Sequence, residues 1–243
     1  ERLRPCLGTV TEARLVAWRP GRRAVLRVTD ATGTAHWLKL LDRKAHRRAV
    51  AAFAAIGDTL SPLCLARPTH LLDDVCAFVA ANAPGRSLRH LIADRTTTPM
   101  TLVTQALLAL GYTDLRGELP LLDFARARQA TVAMLARAAA AHPSLADLGE
   151  RVARLPSPPL APVGFVHGDL HDKQLFVAGD RVTLIDIEGV GAGDPRFDHA
   201  NLAEHVRLRD LQQDGRDGGL SDVLLARCAL TADDPAAVLF RAV

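Results

Sequence analysis

The chain has 243 residues, of which 49% are hydrophobic, and a formal net charge of +3. This length suffices for one large domain or two small lobes, and the hydrophobic content supports a packed core, which excludes disordered and fibrous proteins. No apolar run approaches the ~20 residues of a membrane span, and residues 1–4 show no signal-peptide pattern. Acidic residues are interspersed with the basic ones, so the composition predicts a soluble cytoplasmic protein without membrane or nucleic-acid partners.

The first third of the chain has the pattern of an antiparallel sheet. Segments rich in β-branched and apolar residues alternate with turn residues, which predicts strands. These strands span residues 9–18, 22–29, 35–41, 65–72 and 75–80. Apolar residues at helical spacing predict one helix over residues 43–56. Ala83-Pro84-Gly85 then breaks the pattern, and we interpret residues 1–82 as a five-stranded N-terminal lobe that ends at a hinge.

Residues 83–243 are predicted to form a second, mainly helical lobe. Alanine-rich and leucine-rich sequence with helical periodicity extends from residue 87 to about residue 154. Helical patterns resume over residues 199–213 and 222–230. Between them, a strand, a polar loop and a strand hairpin are predicted over residues 164–167, 175–177 and 182–187. The fold class is therefore α+β, and we expect the chemistry in the irregular centre of this lobe.

Residues 165–202 contain carboxylates in an order that suits phosphoryl transfer. Metal-dependent transfer needs one carboxylate to orient the attacking hydroxyl and another to hold the magnesium that neutralises the phosphates. Asp169 suits the first role because a hydroxyl must lose its proton as the new bond forms. The carboxylate of Asp186 and the amide oxygen of Gln174 suit the second, since Mg²⁺ prefers hard oxygen ligands, and Glu188 can add another oxygen.

The same segment resembles the aminoglycoside phosphotransferase and choline kinase family. The family signatures HGDLHxxN, IDxE and GDPxxD match HGDLHDKQ, IDIE and GDPRFD in this sequence. The resemblance is strong in the C-terminal third, moderate at APGRSL and mainly one of pattern in the N-terminal strands. It implies a two-lobed, protein-kinase-like fold with ATP and Mg²⁺ between the lobes, in a monomer or homodimer. The implied reaction phosphorylates a hydroxyl of a small molecule, such as an antibiotic, a sugar or an amino alcohol.

The resemblance also implies roles for individual residues. By position, Asp169 corresponds to the catalytic base, Asp186 to the metal ligand, and His167 and Asp198 to residues that hold the catalytic loop. Lys39, one of only three lysines in the chain, falls on the third strand, where the family places the lysine that contacts the α- and β-phosphates.

The hinge and one metal ligand are implied in the same way. Adenine is expected to meet backbone groups of the hinge near Ala81 and Ala83, a contact that requires no special side chain. Gln174 stands where the family has its metal-binding asparagine, so the amide oxygen is kept with one more methylene of reach.

Residues 43–56 depart from the kinase pattern because this helix contains no acidic residue. Kinases pair the strand lysine with a helix glutamate, and for Lys39 the alternatives are Asp186, Asp42 or a shifted acid. The missing glutamate leaves open a pseudokinase, which binds nucleotide or a protein partner without catalysis. A second alternative is a metal-dependent phosphohydrolase. Its candidate ligands are His171, Asp172, Asp198 and His199.

Overall fold

The computed structural model describes residues 3–94, 99–158, 163–215 and 219–241. The elements of its N-terminal part are α1 (Arg4–Leu7), β1 (Val10–Arg19), β2 (Arg23–Asp30), β3 (Ala35–Leu41), α2 (Arg43–Ala55), β4 (Leu63–Leu65), β5 (Pro68–Leu72) and β6 (Ala77–Ala81). Five of these strands form one antiparallel sheet in the order β1-β2-β3-β6-β5. The predicted five-stranded antiparallel sheet is therefore confirmed.

The remaining elements are mainly helices with short strands between them. They are β7 (Arg86–Ser87), α3 (Leu88–Ala93), α4 (Met100–Gly111), β8 (Leu121–Leu122), α5 (Phe124–Ala139), α6 (Leu145–Ala153), β9 (Gly164–Val166), β10 (Leu175–Ala178), β11 (Arg181–Leu184), β12 (Gly191–Gly193), α7 (Arg196–Asp214), α8 (Leu220–Arg227) and α9 (Pro235–Arg241). The strands form two small sheets, β4-β11-β10-β7 and β8-β12-β9. Among the helices described, none is long and apolar enough to cross a membrane.

Two predicted strands differ from the observed ones. The segment 65–72 is not one strand, because β4 pairs in parallel with β11 of the hairpin while β5 joins the large sheet. The change of partner falls at Pro68, where β5 begins and which has no N–H to donate to a ladder. The strand predicted over 182–187 ends at Leu184, since Asp186 takes a left-handed backbone conformation and a 3₁₀ turn follows. The short strands β7, β8 and β12 were not predicted.

The main core joins the large sheet to the helical part. Phe53 on α2 packs edge to face on Phe78 of β6, with ring centroids 5.2 Å apart. Both rings belong to one buried cluster with Leu107 of α4 and Leu184 of β11. Burial of such side chains stabilises each by about 1.5–3 kcal/mol. The core therefore fixes the hairpin β10–β11 beneath the sheet face that carries Lys39.

Candidate active site

The loop after β9 is held by a buried carboxylate. Asp198, at the start of α7, accepts hydrogen bonds from the backbone N–H groups of His167 (2.5 Å) and Gly168 (2.9 Å). Its burial raises the pKa of Asp198 to about 6, against the opposing effect of His167 and these donors. The Nε2 atom of His167 lies 3.1 Å from the carbonyl oxygen of Ile185. These contacts agree with the implied roles of His167 and Asp198 in holding the loop. Asp169, which follows Gly168, is exposed at the loop surface.

Two glycines allow backbone to approach this region closely. Gly168 has φ +84°, and a Cβ at this position would lie 2.7 Å from Cδ1 of Leu122. Gly85, in the hinge, has φ +83°, and its Cβ would lie 2.0 Å from the carbonyl oxygen of Val177 on β10. Neither position tolerates a side chain without movement of its neighbours. The hinge and the catalytic loop are thus both seated on the strands of the C-terminal part.

Lys39 lies at the centre of the site. It sits on β3, between β2 and β6, with its ammonium group 5.7 Å from the centre of the Phe78 ring. Its Nζ atom donates hydrogen bonds to Asp186 and to Glu188, the latter at 2.7 Å. Burial alone would lower the pKa of Lys39, but the carboxylates of Glu188 and Asp186 outweigh it and raise the pKa. The lysine is therefore held charged, and it links the sheet to the segment after β11.

Glu188 supplies the carboxylate that α2 lacks. Asp186 has φ +63°, an uncommon conformation for a residue other than glycine, and the 3₁₀ turn Ile187–Gly189 follows it directly. This turn brings both Asp186 and Glu188 to the lysine. Asp42 is instead the N-cap of α2 and accepts a hydrogen bond from Ala45 N–H at 2.8 Å. From the sequence, Asp186 was one alternative partner of Lys39, whereas Glu188 was predicted only as an additional metal ligand. The second acid of IDIE was the available signal for this contact.

We expect Glu188→Gln to lower kcat/KM for ATP about tenfold, because a hydrogen bond to a charged partner contributes about 1.5–3 kcal/mol and a tenfold change corresponds to about 1.4 kcal/mol. Steady-state kinetics with ATP as the varied substrate would measure this change. Asp42→Asn is the matched control, since asparagine also caps helices. A loss in Asp42→Asn as large as that in Glu188→Gln would contradict the assignment.

The carboxylates of Asp186 and Glu188, both bonded to Lys39, offer the hard oxygen atoms that a magnesium ion prefers. Ile185 N–H donates to the backbone carbonyl of Gln174 at 3.0 Å, which places Gln174 beside the residue that precedes Asp186. The side-chain oxygen of Gln174 accepts the N–H of His171 at 3.1 Å, so one lone pair of that oxygen remains for a metal. Mg²⁺ usually takes one or two protein carboxylates and completes its shell with water and phosphate oxygens. Within the described ranges, no group of three or more His, Cys, Asp or Glu is placed to hold a metal ion.

Two histidines flank Asp169. His171 of the catalytic loop and His205 of α7 are half-buried and meet edge to face, with ring centroids 5.2 Å apart. Burial lowers the pKa of both imidazoles, and the nearby carboxylate of Asp169 acts in the opposite direction. The Nδ1 atom of His171 accepts the N–H of Lys173 at 3.3 Å, so the neutral ring carries its proton on Nε2. No sequence motif pointed to His205, which reaches the loop through the packing of α7.

The residues of the phosphohydrolase alternative do not converge. Asp172 is buried and accepts a hydrogen bond from Arg209 at 2.8 Å. His199 is also buried, with Nε2 3.2 Å from the carbonyl oxygen of Leu107. Asp198 serves the catalytic loop, as described above. These side chains are engaged in separate structural contacts, which disfavours a shared metal.

The predicted hinge follows β6 directly. Ala81 is the last residue of that strand and Ala83 is buried. Trp37 stands two residues before Lys39 on β3 and therefore shares its face of the sheet. Its indole N–H donates to the side-chain oxygen of Asn82 at 2.9 Å. Trp37 was not predicted as a site residue, although its spacing of two from Lys39 on a strand was the available signal.

Lys39 of the sheet is joined to acids of the C-terminal part, and the loop that carries Asp169 is bonded to the same segment. This arrangement is that of a two-lobed, protein-kinase-like fold. Residues 16–236 match the model of the phosphotransferase enzyme family. The chain belongs to this family, which confirms the predicted family and the predicted class of enzyme, a small-molecule phosphotransferase. None of the curated proteins compared with the chain matches it.

Solved structures share this fold at low sequence identity. The apo form of a thermostable mutant of aminoglycoside phosphotransferase APH(4)-Ia has a TM-score of 0.64 and 15% identity, over 99% of this chain and 87% of its own. Aminoglycoside phosphotransferase APH(3'')-Id from Streptomyces rimosus has a TM-score of 0.64 and 17% identity, over 95% and 90% of the two chains. Macrolide 2'-phosphotransferase MphH from Brachybacterium faecium has a TM-score of 0.53 and 14% identity, over 99% and 84%. These likenesses confirm the predicted fold.

Proposed function

We propose that this enzyme transfers the γ-phosphate of ATP to a hydroxyl group of a small molecule, in a cleft between lobes formed by residues 1–82 and 83–243. The observation that carries the proposal is the bonding of Lys39 to both Asp186 and Glu188. This contact brings a cation of the sheet, suited to phosphates, against acids of the segment after β11, and the loop of Asp169 is tied to that same segment through Ile185. The cytoplasm, where ATP is abundant, is the proposed location.

The residues of the cleft divide the chemistry between them. Asp169 orients the acceptor hydroxyl and accepts its proton as the hydroxyl oxygen bonds to the γ-phosphorus and the bond to ADP breaks. Lys39 stabilises negative charge on the phosphates. Asp186 and Gln174 would hold magnesium, which supplies further neutralisation of phosphate charge when bound. Phosphoryl transfer depends chiefly on such positioning and electrostatics, so this set of groups is sufficient.

The hinge supports ATP as the phosphate donor. Backbone groups of Ala81 and Ala83 are proposed to receive the adenine, with the indole of Trp37 as an aromatic surface on the Lys39 side. Structures of APH(4)-Ia with ADP and hygromycin B and of APH(3'')-Id with ADP and streptomycin show that proteins of this fold bind adenine nucleotides. A pseudokinase is disfavoured because Glu188 provides the lysine partner whose absence was the argument for it.

We expect ATP and magnesium together to raise the melting temperature, and either alone to raise it much less. A ligand that binds only the folded state stabilises it by about 2.7 kcal/mol at 100 times its dissociation constant. Thermal-shift titrations with ATP, MgCl₂, both, and both plus a chelator would measure this. Equal shifts with and without the chelator would contradict the metal-dependent site, and no shift with any mixture would refute nucleotide binding.

A further inference from the structure

Three acidic residues of the catalytic loop and of α7 have basic or backbone partners. Asp172 is buried and bonded to Arg209. Glu204 on α7 is also buried, and it accepts hydrogen bonds from Arg207 and Arg241, each at 2.7 Å. Asp198 is fully buried on the backbone of the catalytic loop. These carboxylates are therefore not available to balance the charge of a ligand.

A polycationic ligand needs such balance. Moving an ammonium group out of water is costly unless a carboxylate or several oxygen acceptors replace its hydration. Asp169, the proposed base, is itself exposed, but catalysis requires its carboxylate for the hydroxyl proton. An acceptor with several ammonium groups would thus lose hydration without gaining ion pairs from Asp172, Glu204 or Asp198.

Two imidazoles, those of His171 and His205, lie near Asp169. The Nε2–H of His171 is a donor, because its Nδ1 already accepts a hydrogen bond from Lys173 N–H. The ring of His205 makes no hydrogen bond to the described part of the chain, so its nitrogens can serve as one donor and one acceptor. Donors and acceptors of this kind match hydroxyl groups, which also donate and accept.

Resting on the proposed function, we infer that the acceptor is an uncharged polyhydroxylated compound, such as a sugar or glycoside without free amines, whose hydroxyls bind His171 and His205 while one of them meets Asp169. The aminoglycosides in the names of similar structures carry amines, unlike the uncharged acceptor inferred for this protein. The shared fold does not fix the acceptor, because acceptor contacts come from individual side chains.

The test compares two probes that share hydroxyls and differ in charge: kanamycin, and kanamycin acetylated on all its amines. Each is titrated calorimetrically into the protein loaded with magnesium and AMP-PNP. We expect the acetylated compound to bind at least about tenfold more tightly, a difference of about 1.4 kcal/mol. Tighter binding of kanamycin, or no binding of the acetylated compound, would overturn the inference.

His205→Phe is the informative variant, because phenylalanine keeps the ring contact with His171 and removes the nitrogens. We expect it to weaken binding of the acetylated compound about fivefold, as for the loss of one net hydrogen bond of about 1 kcal/mol. His142→Ala, at an exposed position after α5, is the control. An unchanged affinity in His205→Phe would overturn the inference. If AMP-PNP with magnesium fails to bind, the proposed function is refuted as well. If AMP-PNP with magnesium binds but the acetylated compound does not, only the inference about the acceptor is overturned.

Discussion

Replacement of Asp169 by asparagine is expected to lower the rate of phosphoryl transfer by about 10² to 10⁴-fold, the usual contribution of a general base. Asparagine has the same shape and can still orient a hydroxyl, but it cannot accept the proton. Lys39, which is proposed to bind the phosphates, is held in place by Asp186 and Glu188. The affinity for ATP should therefore change little when Asp169 is replaced. Single-turnover transfer of labelled phosphate, with a parallel measurement of nucleotide binding, would separate the two effects.

The control for Asp169→Asn is Asp180→Asn, an exposed acid at the turn between β10 and β11. Both changes remove one negative charge from the C-terminal part of the chain. A difference between them therefore reports the position of Asp169 and not the net charge. A rate in Asp169→Asn within a factor of about two of the control would exclude Asp169 as the base. A difference that small corresponds to much less than the ~1.4 kcal/mol of a tenfold effect, whereas the loss of a general base should exceed about a hundredfold.

Local sequence patterns were enough to propose several residues of the candidate site. Asp169 and Asp186 were proposed because a loop, a strand and the motif residues follow one another within a short segment of the chain. Lys39 was placed on the third strand because residues 35–41 are rich in apolar residues and follow a turn, and β3 spans Ala35–Leu41. Asp198 was assigned to the catalytic loop by resemblance, and its two hydrogen bonds to backbone N–H groups agree with that assignment.

Contacts between distant segments could not be predicted in this way. Glu188 meets Lys39 across 149 residues, and the pairing depends on a left-handed backbone at Asp186 that the letters IDIE do not encode. The pairing of β4 with β11 was equally unpredictable from local sequence, because a three-residue strand can join either neighbouring sheet. His205 and Arg209 reach the catalytic loop only because α7 packs there, and the helical pattern of α7 does not say what it faces.

The second large effect is expected for Asp186→Ala, which should abolish the magnesium-dependent part of nucleotide binding. Asp186 is the most exposed of the acids on Lys39, with 35% of its side chain accessible, and its carboxylate is the principal hard oxygen assigned to the metal. Without it, the stabilisation of about 2.7 kcal/mol expected at 100 times the dissociation constant should fall to the value seen with ATP and chelator. Lys39 keeps a partner in Glu188, so binding of ATP without metal should persist.

The backbone at this position requires a second variant. Asp186 has φ +63°, and alanine tolerates this conformation less well than aspartate or asparagine, so Asp186→Ala adds backbone strain to the loss of the ligand. Asp186→Asn keeps the conformation and removes only the charge. If both variants lose magnesium dependence while the melting temperature without ligand falls only in Asp186→Ala, the effect belongs to the carboxylate. Magnesium dependence retained in both variants would instead move the metal to Glu188, the other carboxylate that bonds Lys39.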